Sequence, residues 1–176
     1  MSLVVEDGTG LATAESYISV ADAATYLTAA YGTAPASWTA ATTATKEAAL
    51  RAAARWIDAR YSWPGQCLVL DPAQALAWPR AGAIDREGRT VDAASVPQRI
   101  KDSTCEAAIL HLAGTLVTTS RDRGGMVKRV KVGELEKEYA DGAPGGRTYP
   151  WIDQLLAGLA LFGGGGAVSA IRLVRV

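Results

Sequence analysis

This sequence predicts a mainly α fold, a small helical bundle with an inserted β-hairpin and a strand-like C-terminal arm, and three observations lead there. Three alanine-rich stretches, near residues 19–32, 45–61 and 95–114, repeat apolar side chains every third or fourth position, the spacing of one buried helix face. After Gly124-Gly125 the pattern switches to alternation, as a half-buried strand requires. Last, the glycines at 163–166 set apart a β-prone strip, VSAIRLVRV. At 176 residues and 49% hydrophobic composition the chain suits one domain of ordinary size with a real core. The expected division is a helical domain over residues 1–162, with its hairpin at about 126–140, then a glycine hinge and arm over 163–176.

Residues 3–5 followed by Asp7-Gly8-Thr9-Gly10 read as a short strand or extended arm ending in a turn, because Asp-Gly supplies the left-handed backbone of tight turns. In the first helix Ser19 is the cap, Asp22 lies in the first turn, Ala23, Tyr26, Leu27 and Ala30 form the stripe, and Gly32 is the stop. A Thr/Ala/Pro-rich loop carrying Trp38 leads to the second helix, residues 45–61. Leu50, Ala54, Ile57 and Tyr61 make its apolar stripe, which Trp56 widens, while Arg51, Arg55, Asp58 and Arg60 occupy other faces expected to be solvated and weakly paired.

The stretch WIDARYSWPGQCLVLDPAQALAWPR then carries the corners Trp63-Pro64 and Trp78-Pro79. Proline restricts itself and the residue before it, so each tryptophan is held in a set direction and the segment between must fold back, most simply onto a helix pair. Trp56, Asp58, Tyr61, Gly65, Trp78, Pro79 and Arg80 are the expected fold determinants, with no chemistry of their own. A turn or small hairpin follows at Asp85 and Glu87-Gly88. The third helix opens on a capping box, Ser95 with Gln98, and buries Ile100, Thr104, Ala107, Ala108 and Leu112.

Residues 126–132, MVKRVKV, and 135–140 alternate around Gly133-Glu134, a hairpin with Lys128, Arg129 and Lys131 on one arm and Glu134, Glu136 and Glu138 around the turn and second arm. Pro150 starts a short helix through Trp151, Ile152, Leu155, Leu156 and Leu159. The strip at 168–176 either closes back on the hairpin as an edge strand or adds to a sheet on another subunit.

Composition removes several function classes. The 18 basic and 18 acidic residues cancel, so no net field draws the chain to nucleic acid or an acidic membrane. Their distribution is uneven, with five acidic and one basic residue in 1–50 against five and eight in 51–101. That asymmetry suits oriented stacking of copies. Cys67, Cys105 and a single histidine, His111, are too few for a Cys/His metal cluster or a disulfide framework, and reduced thiols in a cytoplasmic setting are expected. No secretion signal or membrane-length apolar run is legible, so no membrane is expected, and with no cofactor-binding motif no cofactor is expected either.

Catalysis is poorly supported. His111 lies six residues after Cys105 on one helix, an offset of about 120° that denies a nucleophile–base pair. It is expected to be packed or half-exposed. Asp102 and Glu106 are expected on a solvated face, and no Gly-Lys-Ser/Thr follows any glycine run as a phosphate loop needs. Nucleic-acid contact, if made, falls to Lys128, Arg129, Lys131 and Arg147. The tryptophans Trp56, Trp63, Trp78 and Trp151 sit beside apolar or proline residues, in core-like positions.

In order, DGTG, SYISVADAATYL, KEAALRAAARWIDARY, QALAWPR, VPQRIKDSTCEAAI, VKRVKVGELEKEY and YPWIDQLL give the chain a resemblance, over nearly its whole length. It resembles the head-tail connector (adaptor, or head-completion) proteins of long-tailed bacteriophages, a group also labelled DnaT-like phage proteins. The resemblance implies a non-enzymatic virion protein at the head–tail interface, assembled in the bacterial host cytoplasm. It further implies a homo-oligomeric ring of about twelve copies between the portal protein and a tail terminator or stopper protein. Packaged DNA would pass through the lumen without sequence-specific contact. Carried onto this sequence, the portal- or neighbour-binding residues are Val168, Ile171, Arg172, Leu173, Val174, Arg175 and Val176. The lumen or ring-to-ring contacts are Lys128, Arg129, Lys131, Glu134 and Glu136. The DnaT-like label implies the alternative, single-stranded DNA binding in replication.

Overall fold

A computed structural model describes residues 2–116, 127–131, 136–139 and 148–161. The described chain is mainly α, as its periodicity predicts. In order come α1 (Val20–Tyr31), α2 (Ala36–Thr39), α3 (Thr43–Arg60), β1 (Gln66–Cys67), β2 (Arg80–Ala81), α4 (Gln98–Leu112), β3 (Val127–Lys131), β4 (Glu136–Tyr139) and α5 (Pro150–Leu155). Two compact units divide it: one holds Met1–Thr118 with Pro150–Leu161, the other Thr119–Tyr149 with Phe162–Val176.

The first unit is built on α3 and α4, its most extensively packed pair, with α1, α2 and α5 also against α4. Ala49, Leu50, Ala53, Ala54 and Ile57 are buried on α3; Ile100, Ala107 and Ala108 are buried on α4. So many small side chains permit close axial approach. Ser103 and Thr104 join the α4 core because each hydroxyl donates back into its own helix, to Arg99 O and Ile100 O, both at 2.7 Å. Neither leaves an unpaired polar atom, so their burial costs little.

Helix ends follow the sequence at α1 and depart from it at α4. The Ser19 hydroxyl accepts from the Asp22 amide, and Gly32 closes α1 at φ 73°. The Ser95–Gln98 capping box does not form. Pro97 occupies the cap position with no side-chain bond, and Gln98 donates forward to Asp102 at 2.8 Å. Ser95 Oγ turns back to Asp92 O. Proline takes the cap two residues past Ser95 and the helix starts three past it, so the Ser95 hydroxyl is out of the capping position. The Thr/Ala/Pro loop holds a turn of helix, α2, whose Trp38 is buried under the Lys46 ammonium, 5.5 Å from the ring centre. Of the expected core tryptophans Trp78 is fully buried, whereas Trp151 is 55% exposed on α5, where Ile152 is the inward residue instead.

The second unit contains the predicted hairpin, with β3 and β4 antiparallel and Arg129 opposite Glu138, Lys131 opposite Glu136. An irregularity between Val127 and Arg129 breaks the strict alternation expected there. Among the described residues no helix is long and apolar enough to cross a membrane.

Candidate functional site

The Trp63–Arg80 loop is closed from within. β1 pairs antiparallel with β2, and the Leu68 amide donates to Pro79 O at 3.1 Å, so the segment returns onto itself as well as onto a helix. Arg80 closes the ring: Nε donates to Pro64 O at 2.8 Å, Nη1 to Ala77 O at 3.1 Å and Nη2 to Gly65 O at 2.7 Å. A planar fork with several fixed donors is what three carbonyls in different directions need. Gly65 has φ 74°, and a Cβ there would strike Ala81 O, so glycine is required for backbone conformation and for close approach. The Trp78–Pro79 peptide is cis. The rings of Trp56, Tyr61, Trp63 and Trp78 follow one another edge to face or tilted, with centroids 5.9–6.2 Å apart.

Long-range polar bonds fasten this loop to the helices. Tyr17, fully buried, donates to Asp58 Oδ1 at 2.6 Å and accepts from the Trp78 amide at 3.2 Å, while Asp58 Oδ2 accepts from the Ala77 amide at 2.9 Å. Burial raises the Asp58 pKa, against the lowering effects of the Tyr17 bond, the Ala77 amide and the Arg80 charge. Tyr17 itself is pushed far up by burial and by the Asp58 charge. Asp58 is therefore not part of a solvated face: one turn of α3 aims it at the loop. Tyr61 donates to Asp153 of α5 at 2.5 Å, and Arg60 reaches the same carboxylate at 3.5 Å while covering the Trp56 and Tyr61 rings. Of the seven residues named for the fold, Gly65, Trp78, Pro79 and Arg80 lie on this loop and Asp58 and Tyr61 touch it, whereas Trp56 packs on Tyr61.

A second node joins α1 to α4. Glu106 is 6% exposed, and its two oxygens accept from Tyr26 at 2.9 Å and Tyr31 at 2.6 Å. This overturns the expectation of a solvated Asp102/Glu106 face, since the aromatic hydroxyls of α1 close over Glu106. Burial and the neighbouring Glu106 raise Asp102. A third carboxylate, Glu6, is buried and accepts from the amides of Gly8, Gly10 and Leu11 at 2.8–3.0 Å, which fixes the DGTG turn. Sequence reasoning missed Glu6, Tyr17, Gln74 and Glu106. The acidic-then-Asp-Gly order at residues 6–8 is a signal for the first, and nothing local marks the others.

The geometry offers little for catalysis or metal binding. Cys105 is fully buried with its thiol pKa pushed well up by burial, and His111 is exposed, against the expected packed or half-exposed position; its place in the last turn of α4 faces it outward. Among the described residues no group of His, Cys, Asp and Glu is placed to hold a metal ion. Lys128, Arg129, Lys131 and Glu136 lie on the paired strands β3 and β4. Glu134, Arg147 and the arm residues Val168, Ile171, Arg172, Leu173, Val174, Arg175 and Val176 lie outside the described residues.

No curated protein and no solved structure matches the chain. A family model does, along the entire length, and it agrees with the DnaT-like side of the resemblance. Residues 1–176 match the family described as "Putative DnaT-like ssDNA binding protein", and the chain belongs to that family.

Proposed function

We infer that this protein is a non-enzymatic structural component of a phage particle, a head-tail connector whose copies form a ring between the portal and the next tail or neck protein. One observation carries the reading: most of the cations of the helical unit, and its buried aromatic residues, are engaged within that unit. Arg51 pairs with Glu15 and Glu47, Arg60 with Asp153, and Arg89 with Asp85 and Glu87. Arg80 is bound to carbonyls, Arg99 reaches Ala157 O, and Lys46 covers Trp38. A body so organised suits a structural part better than a groove that tracks phosphates and stacks bases. The separate unit with the hairpin and C-terminal stretch supplies the segments that would meet the portal and the adjoining ring.

The test is co-sedimentation of purified protein with purified portal rings, followed by electron microscopy. Ring-shaped density capping the portal is expected, and deletion of residues 167–176 should abolish it while the circular-dichroism spectrum keeps its helical signal. Failure of the intact protein to bind the portal refutes the reading. The family description favours a second one, single-stranded DNA binding. Tight association with an oligonucleotide that weakens steeply as salt rises, by a protein indifferent to the portal, would establish it instead.

A further inference from the structure

A cleft of about 470 Å³ opens on the helical unit between the N-terminal segment, the outer side of α1 and the first turn of α4. Its lining is mixed: Val5, Ile18, Tyr26 and Ala29 are the apolar part, Glu6 is taken up by the amides of Gly8, Gly10 and Leu11, Asp22 accepts from Ser19, and Lys101 supplies the cation. Among the described residues the Lys101 ammonium has no ion pair; its sequence neighbour Asp102 is bonded to Gln98. The cleft has room for more than one side chain, and its apolar stretch beside a cation outside any ion pair can take an apolar residue that arrives with a carboxylate next to it.

The same unit carries that pairing elsewhere. Leu70 is 71% exposed, the most open of the large hydrophobic residues among those described, and Asp71 next to it is also exposed, with no ion pair among the described residues. The turn is braced rather than loose. Gln74 Oε1 accepts from the Val69 amide at 3.0 Å, its Nε2 donates to Leu76 O at 2.8 Å and Pro79 O at 3.0 Å, and Leu70 bridges Ala73. Presenting an apolar knob on a fixed turn lowers the ordering cost of docking it.

We propose that Leu70 and Asp71 of one copy dock in the Val5/Ile18/Tyr26/Ala29 cleft of a second copy, with Asp71 pairing to Lys101. Knob and cleft are different patches of one surface, so the contact is heterologous, the type that builds closed rings or open filaments. The inference deepens the connector reading and rests on its premise that copies stand side by side.

The test measures self-association of the purified chain alone, by sedimentation velocity over a concentration series. Concentration-dependent assembly is expected for the wild type. Leu70→Ser should weaken it by about 10- to 100-fold, the worth of one buried leucine, with an unchanged thermal melt because the side chain is exposed. Asp71→Lys and Lys101→Asp should each weaken assembly, and the double variant should recover most of the loss. Wild-type protein that stays monomeric throughout, Leu70→Ser that assembles normally, or a charge swap without recovery each overturns the proposal. Portal binding separates the two readings. A portal-bound ring unaffected by Leu70→Ser removes this contact and leaves the connector, whereas Leu70-dependent assembly by a chain that ignores the portal does the reverse.

Discussion

Replacing Tyr17 by Phe removes one oxygen and strands two partners. Asp58 Oδ1 loses a 2.6 Å donor and the Trp78 amide loses its acceptor, in a place where Tyr17 is wholly buried. A hydrogen bond to a charged group contributes about 1.5–3 kcal/mol, and a buried unpaired amide costs about 1–3 kcal/mol, so a loss of about 3 kcal/mol is expected near neutral pH. The loss also depends on pH. Asp58 is a carboxyl whose folded pKa lies above its ordinary 3.8. Such a group adds stability below the unfolded pKa and withdraws it as pH rises through the folded one. Removing the Tyr17 donor raises the folded pKa further and widens that window upward. Urea unfolding of Tyr17→Phe at about pH 7 and about pH 4.5 should therefore show the larger deficit at the higher pH, with an unchanged denaturant slope. A deficit below about 0.5 kcal/mol, the usual range for a surface change, or one equal at both pH values would refute the reasoning.

Arg80→Lys keeps the charge but cannot reach Pro64, Ala77 and Gly65 together; a loss of about 1–3 kcal/mol in urea melts is expected. Gly65→Ala should cost more than Gly32→Ala, since both need left-handed backbone but only residue 65 meets Ala81 O, whereas residue 32 has open space; Gly32→Ala should cost about 1 kcal/mol, and equal melting temperatures would sink the claim. Trp78→Ala should lose about 3–5 kcal/mol as a fully buried ring is deleted, which chemical denaturation reads directly. Tyr31 is pushed up to about 12 by burial of its hydroxyl and by its bond to Glu106. Its folded pKa is raised, so its contribution holds below the ordinary 10 and fades as pH climbs toward 12. In an ultraviolet pH titration Glu106→Gln should move that late ionisation toward 10, and an unmoved titration would exclude Glu106 as a cause.

Much of the helical unit is legible residue by residue, because the properties involved are local. Leu50, Ala54 and Ile57 are buried along α3, as their spacing requires, and Tyr61, the cap residue after it, is buried too. The Trp-Pro corners correctly mark a loop clamped by Trp78 and Arg80. Errors arise where two local signals compete. Ser95 and Gln98 make an attractive capping pair, yet Pro97 takes the cap. Trp151 follows a proline like a core residue, but the inward position of α5 belongs to Ile152. The strands of the hairpin are readable from alternation and turn residues, whereas their irregularity at Val127/Arg129 is not.

By itself the sequence determined the element types, the α1 cap at Ser19 and stop at Gly32, the alanine-rich pair α3 and α4, and the family. The tertiary structure alone decided which polar side chains would be buried and what would satisfy them. Asp58, though named for the fold, shows nothing in the sequence of what it would bind, and Glu106 reads as a surface charge on its own helix. They become anchors only because Tyr17 lies 41 residues from the first, and Tyr26 and Tyr31 lie 80 and 75 residues from the second. Periodicity along a helix is set within a turn or two, but the partner of a buried carboxylate is set by which segments the folded chain brings together.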